Sequence, residues 1–163
     1  HHSGTMLRAV PPRTISKVDF GRRQACDSSA TTASLALPSS GGAVTAALAR
    51  MWQRLAPAPK SGRIAVISGA SGAEPATNEE RAWLQTMPDV PVRATGSDLG
   101  HGFEPQFAMN IALACLALGR EKLFPPFDSS GIERAYEGPL DQVAVTAVGH
   151  WRGEGMALVE AVK

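Results

Sequence analysis

The sequence predicts an α/β protein in the order β-α-β-α-β-α-β-β, with three helices on a five-stranded mixed sheet. Three observations predict it. Short apolar runs such as Ile64–Ile67 alternate with longer stretches whose apolar residues recur at helical spacing. Clusters of Gly and Pro punctuate the boundaries. The last two strand-like runs are joined by a Gly-rich link, the mark of an antiparallel pair on a mainly parallel sheet.

Taken in order, Thr14 to Phe20 carries Ile15, Val18 and Phe20 and predicts a short first strand. Gly21 to Gly42 is rich in Ser, Thr, Ala and Gly and predicts a long loop. Val44, Ala47, Leu48, Met51, Trp52 and Leu55 set out a helix over Ala43–Leu55, closed by Pro57, Pro59 and Gly62. Ile64–Ile67 is a buried strand ending in the turn Ser68-Gly69-Ala70-Ser71-Gly72.

Thr77-Asn78-Glu79-Glu80 has the form of a capping box and starts a helix over Asn78–Met87, ended by Pro88. Val90 to Ala94 is the third strand. Gly100-His101 opens a helix over Glu104–Leu118, with Pro105 at its start and Gly119 expected just past its end. Phe107, Ile111, Ala114, Cys115 and Leu118 share one face. Ala108, Ala112 and Ala117 keep the rest small, which predicts burial on several sides. Pro125-Pro126 marks an extended loop. Gln142–Val148 and Met156–Val162 are then expected to form a hairpin around Gly149-His150-Trp151-Arg152-Gly153-Glu154-Gly155.

The chain has 163 residues, enough for one domain with a working core. Residues 1–5, His-His-Ser-Gly-Thr, have the look of a tag remnant, so the domain is expected over residues 6–163. Net charge is +1 and no segment is strongly basic, which argues against a nucleic-acid partner. No apolar run reaches the roughly 20 residues of a membrane span, and there is no signal-peptide core. Cys26 and Cys115 show no metal-ligand spacing, so a cytoplasmic, reduced setting is expected. His101 and His150 lack a third ligand, and Ser68–Gly72 lacks the spacing of a nucleotide loop. No metal or other cofactor is expected.

Four segments together resemble the C-terminal half of the β-ketoacyl-ACP synthases. Val66–Leu84 resembles the family's first-histidine segment, Gly100-His101 its second-histidine turn, and Leu123-Phe124-Pro125-Pro126 its Pro-Pro segment. Val148–Leu158 resembles its late Gly-rich loop and closing strand. The resemblance covers about Thr14 to Val162 and implies one half of a thiolase-like fold. It also implies acyl carrier protein and acyl chains as partners, a homo- or hetero-oligomer, and a parent reaction in which malonyl-ACP loses CO₂ and condenses with an acyl group.

The departures imply a domain inactive by itself. Family members hold the nucleophilic cysteine in an N-terminal half with no counterpart here. Cys26 lies in a polar loop beside Asp27, which disfavours a thiolate, and Cys115 falls on an apolar helix face as inert core. Ser68 stands in the place of the first histidine, Gly96 of the lysine, Asn110 of the helix glutamate and Trp151 of the phenylalanine gate. His101 is the catalytic candidate that remains; Ser68, Asn110, His150 and Trp151 are the expected pocket residues. The alternative is a non-catalytic, acyl-chain-binding or chain-length-factor-like subunit of a heterodimer.

Overall fold

A computed structural model describes residues 17–22, 42–55, 63–100, 102, 104–148 and 154–161. Its elements are β1 (Lys17–Arg22), α1 (Ala43–Leu55), β2 (Ile64–Ser68), α2 (Ala76–Gln85), β3 (Val92–Ala94), α3 (Gly96–Leu99), α4 (Glu104–Gly119), β4 (Gln142–Ala147) and β5 (Gly155–Glu160). The body of the sheet is β5-β4-β2-β3, and β1 continues it beyond β5. β2 pairs parallel with β3 and with β4, whereas β4 and β1 both pair antiparallel with β5. The predicted hairpin is present, with Val145 opposite Ala157. Its Gly-rich tip lies outside the described residues.

Alternation along the strands divides the core in two. Ile64, Val66, Val92, Ala144 and Leu158 face α1 and α2, where Leu48, Met51, Trp83 and Leu84 pack. Ala65, Ile67, Val143, Val145 and Val159 face α4, against Ala114, Ala117 and Leu118. Both faces of β2 and β4 are therefore dry, which is why these strands read as continuous apolar runs. On the outer helices Trp52 and Trp83 meet edge to face at 5.7 Å between ring centroids.

The structure corrects several expectations. Among the described residues there are four helices where three were expected: Gly96–Leu99 makes one turn too short to leave a periodic signal. The capping box is absent. Pro75 occupies the N-cap of α2 without a side-chain cap, so the helix begins at Ala76 and Glu80 falls in its second turn, fully buried. Gly119 ends α4 inside the helix, and the left-handed residue beyond it is Glu121, with φ of 53°. α4 buries one face, through Gln106, Asn110, Ala114, Ala117 and Leu118, and leaves Pro105, Ala108, Ala112 and Leu116 exposed. Cys115 is half-buried.

The segment after α4 has no regular structure, and three side chains hold it. Buried Arg93 on β3 donates to the carbonyls of Phe124 and Arg134, both at 2.6 Å. The Glu133 carboxylate takes the N–H groups of Ala94 at 2.7 Å, Phe127 at 2.5 Å and Asp128 at 2.9 Å. Arg134 donates to the carbonyls of Leu84, Met87 and Val90, which closes the C-terminal end of α2. Guanidinium forks suit this task because their donors are fixed in one plane.

Candidate functional site

In sheets of this kind, sites form beyond the carboxyl ends of the parallel strands. Here those ends belong to β2, β3 and β4, and the chain turns sharply there. Ser68 closes β2 and is fully buried. Its hydroxyl accepts the Ala70 N–H at 3.0 Å. Its carbonyl accepts the Asn110 amide from α4 at 3.3 Å. The other end of that amide, Asn110 Oδ1, takes the Thr95 hydroxyl at 2.7 Å. One buried side chain on α4 thus ties the ends of β2 and β3 together, and it brings two of the expected pocket residues, Ser68 and Asn110, into contact.

Two glycines allow the strand ends to approach this closely. A Cβ on Gly69 would stand 2.7 Å from the Thr146 carbonyl oxygen. A Cβ on Gly96 would stand 2.2 Å from the Ala70 carbonyl oxygen. Both are backbone contacts, so no side chain can turn aside to make room.

Glu80 enters the site from α2. Its carboxylate accepts the Thr146 hydroxyl, and Thr146 Oγ1 in turn accepts the Gly69 N–H at 2.8 Å. Burial pushes the Glu80 carboxyl up to about 6, with the Thr146 hydroxyl, and to a lesser degree the Ser68 hydroxyl and Gly69 amide, pulling the other way. It is a buried acid that titrates near neutrality, at the mouth of β2.

Thr146 and Glu80 were missed as site residues in the sequence. The signal for Glu80 was available: it lies four residues after Ala76 and three before Trp83, on the buried stripe of α2. Thr146 carried a weaker one, as the polar residue in the otherwise apolar run Val143–Val148. His101, His150, Trp151 and Cys26 lie outside the described residues. Among the described residues no group of three or more His, Cys, Asp and Glu could hold a metal ion. No described helix is long and apolar enough to cross a membrane.

No protein-family model and no curated protein matches the chain. A solved structure does: the ishigamide ketosynthase/chain length factor, with a TM-score of 0.58 and 13% sequence identity, over 74% of this chain and 33% of that one. The fold is ketosynthase-like. At that identity the likeness shows the fold alone, and the chain spans about a third of the neighbour's length.

What the described site can do chemically is limited. It holds hydroxyls, one amide and one carboxyl, engaged with each other or with backbone except at Glu80 Oε2, which is buried without a hydrogen-bond partner. It can accept or release a proton at Glu80 and can orient the turn after β2. It offers no thiol and no basic nitrogen among the described side chains around Ser68.

Proposed function

We propose that this chain is a β-ketoacyl-ACP synthase-like domain of fatty-acid or lipid biosynthesis that does not condense acyl groups by itself and works beside a partner, in the manner of a chain-length factor. In the parent reaction malonyl-ACP loses CO₂, the resulting enolate carbon attacks an enzyme-bound acyl thioester, and the cysteine thiolate leaves. That chemistry needs a nucleophile and basic groups that polarise the thioester carbonyl.

One observation carries the reading. Gly96, in the place of the family's lysine, is packed against the Ala70 carbonyl so closely that any side chain is excluded. The loss is therefore built into the backbone and is not a lone substitution on an otherwise intact site. Ser68 agrees with it: in place of a histidine it presents a buried hydroxyl that accepts from Ala70 N. Asn110, in place of a glutamate, links two strand ends. Acyl carrier protein, acyl chains and a cytoplasmic setting belong to the same proposal, as does His101 as a carbonyl-binding residue that acts with the partner and His150 and Trp151 as pocket residues.

The test is incubation with labelled acyl-ACP and malonyl-ACP, followed by intact-mass and CO₂ measurement. The expected result is no acyl adduct and no CO₂ above the protein-free control. Stoichiometric acylation of Cys26, abolished by Cys26→Ser, overturns the reading.

A further inference from the structure

Among the described residues, three large apolar side chains stand exposed: Leu99 at 61%, Leu116 at 58% and Phe127 at 66%. They come from α3, from α4 and from the segment after α4, yet all three line one cleft of about 640 Å³. Scattered exposed leucines need no explanation, but convergence of all three on one concavity does. Phe127 is held in place there. Glu133 takes its N–H and that of Asp128, and the other carboxylate oxygen takes the N–H of Ala94 on the cleft floor.

The rim carries both signs of charge. Asp98 stands on α3, and Arg120 and Lys122 follow the last turn of α4; all three are exposed. Lys122 meets Glu137 at 3.7 Å, whereas neither Asp98 nor Arg120 is in an ion pair among the described residues. A carboxylate and a guanidinium thus border one apolar concavity without pairing with each other.

That pattern selects the occupant. A small ligand with a single charge would meet its opposite and its like on the same rim. An anionic membrane surface calls for cations alone. A second copy of the chain, related by a twofold axis, is satisfied by both signs. Such a surface sets one residue against a second in the partner, and the second against the first. The extent of the surface agrees. Leu116 ends the exposed line of α4 that includes Pro105, Ala108 and Ala112, so the apolar surface continues from the cleft along roughly 16 Å of helix.

We infer that this surface docks a second copy of the chain about a twofold axis, Asp98 of each copy facing Arg120 of the other, with Leu99, Leu116 and Phe127 of both copies enclosed between them. The interface stands apart from the ketosynthase-like reading, because Ser68, Gly96, Asn110 and Glu80 take no part in it.

The test is sedimentation velocity on the full chain and on charge-reversed variants, with the unfolding midpoint as the check on folding. The unaltered chain is expected to reach a dimer and stop there. Asp98→Arg and Arg120→Asp, both at exposed positions, are each expected to weaken the dimer about tenfold or more, because each brings like charges together twice across the axis. The two variants mixed are expected to pair one to one at least as tightly as the unaltered chain, since the first carries two cations at these positions and the second two carboxylates. Leu116→Asp is expected to weaken the dimer by as much again, with no rescue on mixing. A monomer at every concentration, or an open series of larger assemblies, overturns the inference. So does association indifferent to these substitutions, a failure of the mixed variants to pair, or binding to anionic lipid vesicles in place of self-association. The acylation assay decides the ketosynthase-like reading separately.

Discussion

Gly96 lies so close to Ala70 that a Cβ would meet its carbonyl oxygen at 2.2 Å. This contact seals the turn after β2 against the start of α3 and fixes what the site can become. Gly96→Ala is expected to destabilise the fold by about 1–3 kcal/mol, the usual effect of forcing atoms into a packed interior. Gly96→Lys is expected to do the same or worse and to give no release of CO₂ from malonyl-ACP. Chemical denaturation measures the first and the labelled assay the second. A stable Gly96→Lys variant that decarboxylates malonyl-ACP would mean that the backbone does not set the limit.

Glu80 gives the stability of the chain a pH dependence whose sign is fixed. Its carboxyl rises from 4.5 to about 6 on folding, chiefly because burial disfavours the charge. The folded chain thus holds this proton more tightly than the unfolded chain. Below pH 4.5 both states are protonated and the group contributes nothing. Between pH 4.5 and 6 the folded state loses stability, and above pH 6 the full penalty of about 2 kcal/mol applies. Glu80→Gln keeps the size and an acceptor for Thr146. It is expected to flatten that part of the pH profile and to raise stability at pH 7–8 by about 1–2 kcal/mol. Unchanged slopes in urea denaturation across pH 4.5–6.5 would count against a buried, titrating Glu80.

The case of Glu80 also shows what a sequence can and cannot display. The strand and helix pattern was legible because periodicity is local: α1 lies over Ala43–Leu55 as the apolar spacing predicts, and the closing hairpin pairs as expected. Glu80 was misread because Thr77-x-x-Glu80 fits a capping box, whereas Pro75 caps the helix two residues earlier, and Glu80 falls on the buried face of α2. The ties between Asn110, Ser68 and Thr95, and between Glu80 and Thr146, join residues 15 to 66 positions apart, and no spacing rule reaches that far. For α4, all-round apolarity announces burial but not against what. The sheet covers one face only.

Glu133 is expected to hold the cleft wall rather than the fold as a whole. Its carboxylate receives Ala94, Phe127 and Asp128 at 2.5–2.9 Å. Glu133→Ala leaves those N–H groups without their acceptor and is expected to cost about 1–3 kcal/mol. Hydrogen exchange at Phe127 and Asp128 is expected to accelerate at least tenfold, with the amides of β4 protected as before. Uniform acceleration throughout the sheet would show that Glu133 secures the whole fold instead.

The exposed side of α4 is the remaining apolar feature, and it predicts association. Pro105, Ala108, Ala112 and Leu116 recur along one line of the helix, with no charged residue between Pro105 and Leu118. Ala108 and Ala112 keep the line low, so that another element can approach the helix backbone. A contiguous apolar strip on water favours association. Sedimentation velocity over a wide concentration range is expected to show reversible self-association. Ala112→Glu places a charge at an exposed position in the middle of the strip. It is expected to weaken association at least tenfold while leaving the unfolding midpoint within error, because the buried face through Asn110, Ala114 and Leu118 is untouched. A clean monomer at every concentration would show that this face of α4 is content in water and would remove the case for an interface there.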